Sequence, residues 1–177
     1  MNQVTVQIGD CQVSSDSDCL LATYALGSCI AVAIWDPVAG VGGLLHFMLP
    51  ESSLDTEKAR RAPYLYADTG IPLLFRNAYD LGAVKSRLVV RLAGGAQVLD
   101  QAGVFNIGKR NCLAARRILW KAGVLTQGEA VGGLVSRTVR LEVGTGRLLV
   151  RTAGFPEREL PLSRPSQRGL ETCPSAC

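Results

Sequence analysis

The longest uncharged stretch of the chain, residues 19–35, sets the first limit on its fold. It is borderline in length for a membrane span. Thr23, Gly27 and Ser28 interrupt it, and two buried strands explain it better. Residues 20–26 are apolar and β-compatible, and Gly27-Ser28 breaks the run. Residues 29–35 (CIAVAIW) have the β-branched, small and aromatic content of a buried strand. Asp36-Pro37 follows as a turn signal, and residues 41–49 return as a second strand closed by Pro50.

The pattern around this hairpin is strand-rich. Residues 2–8 alternate as a strand, while 10–18 are polar and read as a loop. Residues 51–63 are charged and polar, an exposed loop with little order of its own. A helix is predicted over about 68–81, with Pro72 tolerable in its first turn, Leu73, Leu74, Ala78 and Leu81 as its apolar face, and Gly82 as its stop. Residues 86–92 predict a strand ending at Gly94-Gly95. A second helix is predicted over 106–122, with Asn106 as cap, Cys112, Leu113, Arg116, Leu119 and Trp120 at helical spacing, and Gly123 as stop. Residues 124–131, 136–143 and 147–152 read as strands, the last two joined by a tight turn at Gly144-Thr145-Gly146. Strands with two helices inserted predict an α+β fold rather than a βαβ alternation. At about 150 residues per domain, one domain over 1–160 is expected. Residues 161–177 are Pro- and Ser-rich and read as a disordered tail.

Charge is unevenly distributed. The net charge is +4, yet residues 1–57 hold seven acids and no Lys or Arg, while the rest holds all nineteen bases against eight acids. A cationic half suits an acidic partner. The bases are scattered and no aromatic-basic motif accompanies them, so nucleic acid is not expected. The start, MNQVTVQIGD, has neither the basic nor the apolar region of a secretory signal, and a cytoplasmic location is the default. The paired glycines lack P-loop and G-x-G-x-x-G spacing and fit bulges, turns or close backbone passages. Cysteines at 11, 19, 29, 112, 173 and 177 form no C-x-x-C pair, and there is one histidine to help ligate a metal, so a zinc site is not expected.

His46 is that histidine, and it lies at the end of the second apolar strand (GGLLHFMLP). Chemistry that needs an imidazole must use it. If the hairpin turns at Pro37-Val38, Asp36 faces Ala39 and Cys29 faces His46. Their side chains then share a face, with Cβ atoms about 4.5–5.5 Å apart. A neighbouring imidazole would lower the thiol's pKa and give a thiolate nucleophile. The small residues Gly27-Ser28 before Cys29 would let a substrate and backbone donors come close. Cys112 lies on a predicted helix face and reads as core. Asp36 is at the turn, far from the pair, and Thr23 is a candidate third group through its hydroxyl or carbonyl.

These residues carry a resemblance. The stretch TYALGSCIAVAIWDP…GVGGLLHFMLP, with Tyr66-Ala67-Asp68, AGGA (93–96), NIGKRN (106–111) and TGRLLVR (145–151) in order, resembles the CheD family of chemoreceptor glutamine deamidases. The resemblance covers about residues 3–155. Leu134-Val135-Ser136-Arg137 and the tail depart from the family pattern. The resemblance implies layered, mostly antiparallel β-sheets flanked by helices, similar to the catalytic domain of cytotoxic necrotizing factor. It places the family's catalytic Cys, His and Thr on Cys29, His46 and Thr23, with the backbone amides of Ser28 and Cys29 as oxyanion donors. It implies deamidation of glutamines on the cytoplasmic helical bundle of methyl-accepting chemotaxis receptors, without a cofactor, by a cytoplasmic enzyme recruited to receptor arrays. The phosphatase CheC is a further implied partner. Two alternatives are a non-catalytic adaptor that binds receptors or CheC, and a different thiol hydrolase using the same pair.

Overall fold

The strands β4 (Ile30–Asp36) and β5 (Val41–Phe47) are apolar on both faces, so each face needs a cover. In the computed structural model, which describes residues 1–98 and 106–163, the two lie inside a five-stranded sheet. Its order is β2-β5-β4-β6-β7, with β2 at Asp10–Ser14, β6 at Val89–Gly94 and β7 at Glu129–Val131. One face packs Ile30, Val32, Ile34, Leu45 and Phe47 under the helices α2 (Ala67–Asp80) and α3 (Ile107–Lys121). The other packs Cys29, Ala31, Ala33 and Leu44 against Leu21, Leu26, Val139, Leu141 and Leu148 of a second sheet. That sheet runs β1-β3-β8-β9-β10, from Asn2–Thr5, Cys19–Leu26, Arg137–Glu142, Leu148–Thr152 and Arg158–Glu159. Pairs β1–β3 and β6–β7 are parallel, and the other described pairs are antiparallel. The architecture is α+β in three layers: sheet, sheet and helices.

Several segments differ from the sequence reading for definable reasons. The polar stretch 10–18 contains β2, an edge strand on β5 whose one buried side chain is Cys11. The stretch 51–63 contains a short helix α1 (Thr56–Arg61), started by the Asp55 carboxylate accepting the Lys58 amide. Helix α2 begins at Ala67, so Pro72 lies beyond its first turn, at an exposed position of the helix. Leu81 is exposed, and Ile71 and Phe75 are buried in its place. Asn106 precedes α3 in a left-handed conformation and makes no side-chain cap, while Leu113 and Trp120 face outward. Of residues 124–131, 129–131 form the strand. Residue Ser163 donates its amide to Gln127 O at 2.7 Å, so the start of the expected tail is tied down. The remainder of that expectation, 164–177 with Cys173 and Cys177, lies outside the described residues.

The hairpin is locked by a carboxylate. Asp36 is fully buried and accepts from the amides of Val38, Ala39 and Val84 at 2.8–3.1 Å. Arg87 adds Nε and Nη2 at 2.8–3.0 Å. Burial opposes the charge, but these donors outweigh it and hold the carboxyl below the usual range. Removing one partner of such a pair strands the other. Asp36→Asn is expected to cost about 2–3 kcal/mol in chemical denaturation, and the loss should shrink as the pH falls through the acid range.

Candidate active site

The hairpin loop spans four residues, 37–40, and Gly40 adopts φ +65° where it rejoins β5. Asp36 therefore faces Val41, not Ala39, and Ala31 faces His46. This is two residues away from the register expected above. A two-residue shift preserves the face. Cys29, two residues before Ala31, lies diagonally from His46 on the side facing the second sheet. In a regular ladder that diagonal is about 7 Å, which explains why thiol and imidazole are on one face without being hydrogen-bonded.

Thr23 reaches the same place from the opposing sheet, on β3. It is fully buried, and His46 is 1% exposed. Thr23 Oγ1 donates to the carbonyl of Val6 at 2.8 Å and stands 2.8 Å from His46 Nδ1. A hydroxyl has one hydrogen to give. With that hydrogen on Val6, the contact with His46 has Nδ1–H as donor and Oγ1 as acceptor. The neutral ring thus carries its proton on Nδ1, and Nε2 keeps an open lone pair. Nε2 is buried with no hydrogen-bond partner. Just beyond Thr23, β3 bulges against β8 and Ala25 takes φ +55°, a costly conformation for a side-chain-bearing residue.

The segment carrying Cys29 is held by its carbonyls. Gly27 O accepts from Ala96 N at 2.7 Å, Ser28 O from Asn111 Nδ2 at 2.9 Å, and Cys29 O from Gly95 N at 2.7 Å. The amides of Ser28 and Cys29 donate to no backbone carbonyl among the described residues. Fixed carbonyls with open amides are what an oxyanion site requires.

Asn111 was not found from sequence. It is fully buried on α3, and its Nδ2 also donates to Met48 O at 2.7 Å. One amide group thereby joins the Cys29 segment to the end of the His46 strand. Helical periodicity marked Cys112 and Leu113 instead, and the one available signal was an amide side chain beside a core cysteine. The carboxylate opposite His46 in register, Asp10, turns away to the Cys11 amide and Gln12.

Burial sets the protonation states. It pushes the Cys29 thiol up, and the nearby amide offsets this in part. It pushes His46 down from 6.5 to about 4. At neutral pH the resting site is therefore a thiol and a neutral imidazole, not the thiolate expected from proximity alone. Among the described residues no group of three His, Cys, Asp or Glu could hold a metal ion.

Thr23→Val keeps the shape and removes the acceptor for Nδ1–H. Turnover is expected to fall about 10- to 100-fold, as when an orienting partner is lost. Stability should drop by about 1–3 kcal/mol because a buried N–H and C=O lose their partner. A pH–rate profile checks the assignment, since the limb belonging to His46 should move while that of the thiol stays.

A family model described as CheD chemotactic sensory transduction matches residues 48–152. Thr23, Cys29 and His46 precede that span, and the similarity to whole relatives is longer. A probable chemoreceptor glutamine deamidase CheD 1 of Syntrophus aciditrophicus is 54% identical over 160 residues, 90% of this chain and all of that protein. A probable chemoreceptor glutamine deamidase CheD of Solibacter usitatus is 52% identical over 169 residues, covering 96% of this chain and 99% of that one. A similarly named protein of Pyrococcus horikoshii is 39% identical over 153 residues, 85% of this chain and 93% of its own.

Proposed function

Because this chain belongs to the CheD family, we propose that Cys29, His46 and Thr23 are the machinery of its chemoreceptor glutamine deamidase activity. The enzyme is a hydrolase of chemotaxis whose substrates are chemoreceptor glutamines, converted to glutamates with release of ammonia. The observation that carries the residue assignment is the relay from His46 Nδ1 to Thr23 to Val6, which leaves Nε2 open on the face shared with Cys29.

The chemistry follows from those states. As the glutamine amide arrives, the Cys29 thiol gives its proton to His46 Nε2 and the sulfur attacks the amide carbon. The amide oxygen becomes an oxyanion facing the Ser28 and Cys29 backbone N–H groups. Proton transfer at the moment of attack suits a site in which burial disfavours both charges beforehand. His46, now an imidazolium, returns the proton to the leaving nitrogen, the C–N bond breaks and ammonia departs, leaving a thioester on Cys29. His46 then takes a proton from water, the hydroxide attacks the thioester, and collapse expels the sulfur, which regains its proton. Glutamate remains on the receptor. Thr23 holds the ring in the tautomer that both halves need.

In this reading the substrate surface is the cytoplasmic helical bundle of the receptors, where the enzyme is recruited to arrays. CheC is a second partner. No helix among the described residues is long and apolar enough to cross a membrane. The cationic composition after residue 57 supports an acidic docking surface, and its mark would be binding that weakens with salt.

Intact-mass measurement of receptor fragments incubated with wild type, Cys29→Ala and His46→Ala protein tests the proposal. Wild type should add the mass of deamidation at discrete sites and produce no fragments. Cys29→Ala should add none while still binding. Peptide fragments would indicate a protease, and unchanged deamidation by Cys29→Ala would remove Cys29 from the mechanism.

A further inference from the structure

The residues that hold the Cys29 segment are themselves held by one neighbouring loop. Gly132 N donates to Gly94 O at 2.9 Å, and Gln97 N donates to Gly133 O at 2.8 Å. Arg137, at the start of β8, closes the loop by donating Nη1 to Gly132 O at 2.7 Å and, more loosely, to Gly94 O at 3.4 Å. Gly94 and Gly95 are the residues against Cys29 O, so the loop borders the nucleophile's own support. A depression opens there, lined by Gly95, Gln97, Gly132 and the α3 residues Lys109, Cys112, Leu113 and Arg116.

Arg137 is the cation of this loop. It is half-buried, its hydrogen bonds go to carbonyls, and no carboxylate among the described residues pairs with it. Burial pushes its guanidinium down from the ordinary value, Cys112 acts on it in the opposite direction, and Arg158, of like charge, adds to the lowering. Other arginines of this chain have found carboxylates: Arg87 with Asp36, Arg116 with Glu129, Arg140 with Glu157 and Arg147 with Glu159. Lys109, exposed across the depression, also has no acidic partner among the described residues. Beside this pair of cations the loop exposes Leu134 and Val135, at 59% and 41%. A poorly hydrated guanidinium next to exposed aliphatic side chains is complementary to an acidic, amphipathic segment.

We propose that the 132–137 loop is a substrate-reading element, in which Arg137, aided by Lys109, binds a carboxylate of the receptor close in sequence to the target glutamine while Leu134 and Val135 cover an apolar neighbour. This rests on the deamidase reading above and adds to it the kind of sequence the enzyme selects. Arg137 acts in binding and does not touch the reacting atoms, so its loss should appear in KM more than in kcat.

The test pairs enzyme variants with substrate variants. A chemoreceptor cytoplasmic fragment with one reactive glutamine is prepared, along with a series in which each Asp or Glu within four residues of it becomes the amide. Wild type should lose about tenfold in KM at one of these positions. Arg137→Gln should show the same elevated KM on the parent fragment and no further loss on that member of the series. Arg137→Lys should recover part of the difference. The substrate series needs only wild-type enzyme, so it decides the matter even if Arg137→Gln melts early. If no acidic position changes KM, or if a folded Arg137→Gln discriminates as strongly as wild type, the assignment of this loop is overturned while the deamidase reading stands. If wild type deamidates no fragment at all, the deamidase reading fails and this proposal fails with it.

Discussion

His46→Gln is expected to lower kcat/KM on receptor fragments by about three orders of magnitude, within the range attributed to a positioned acid–base group. Glutamine can preserve a hydrogen bond to Thr23, so the fold should persist. It cannot take the thiol proton or return one to the departing nitrogen. The variant also has a thermodynamic signature. In the folded protein His46 titrates near 4, while its ordinary value is 6.5. Between those values the unfolded chain binds a proton that the folded chain refuses. Stability is therefore full above pH 6.5 and falls as the pH drops toward about 4, by up to roughly 3 kcal/mol. In His46→Gln that acid-side loss should be absent, which denaturant titrations at several pH values would detect. The rate should behave in parallel. In the proposed mechanism His46 is the base, and it stays unprotonated below pH 6.5, so the acid limb of kcat/KM should have its midpoint near 4. A midpoint near 6.5 or above would mean that the imidazole is solvated or already paired with a thiolate.

Gly94→Ala is expected to damage both stability and turnover. Gly94 has φ +110°, a region essentially closed to side-chain-bearing residues. A methyl group there would stand 2.2 Å from Cys29 O and 3.3 Å from the Cα of Ile30. Both obstacles are backbone in the central strand, so neither can swing aside. The strand must separate, and the Gly95 N to Cys29 O bond would break with it. A loss of about 3–4 kcal/mol is expected. With Cys29 as the proposed nucleophile, whose placement tolerates little error, turnover of the folded fraction should fall by at least about 100-fold. Equilibrium unfolding and activity normalised to folded protein would separate the two effects. A variant with wild-type stability and rate would show that the close passage at Gly94 does not fix Cys29.

The hairpin strands and the common face of Cys29 and His46 were legible because apolar content and alternation survive any even shift in pairing. The register was not, because Asp36-Pro37 marks the start of a turn without stating its length, and Gly40 ends it later than Val38. Strand β2 escaped notice because an edge strand with one buried side chain has no apolar rhythm. Thr23 was a candidate by its position before Cys29, with its role supplied by the family resemblance, and its acceptor position depends on Val6, which parallel pairing of β1 with β3 brings beside it. Asn111 joins two segments distant in sequence, and that kind of juxtaposition has no local signature. The neutral resting state was also beyond reach, since it comes from burial between two sheets rather than from the neighbour of either group.

The most direct measurement is an acid-quench experiment on wild-type enzyme turning over a receptor fragment, with the covalent species mapped by peptide mass spectrometry. A hydroxylamine-labile thioester joining the former glutamine side chain to Cys29 is expected, with ammonia released before glutamate appears. Glutamate forming at an undiminished rate in Cys29→Ala, or an adduct on any other residue, would contradict it.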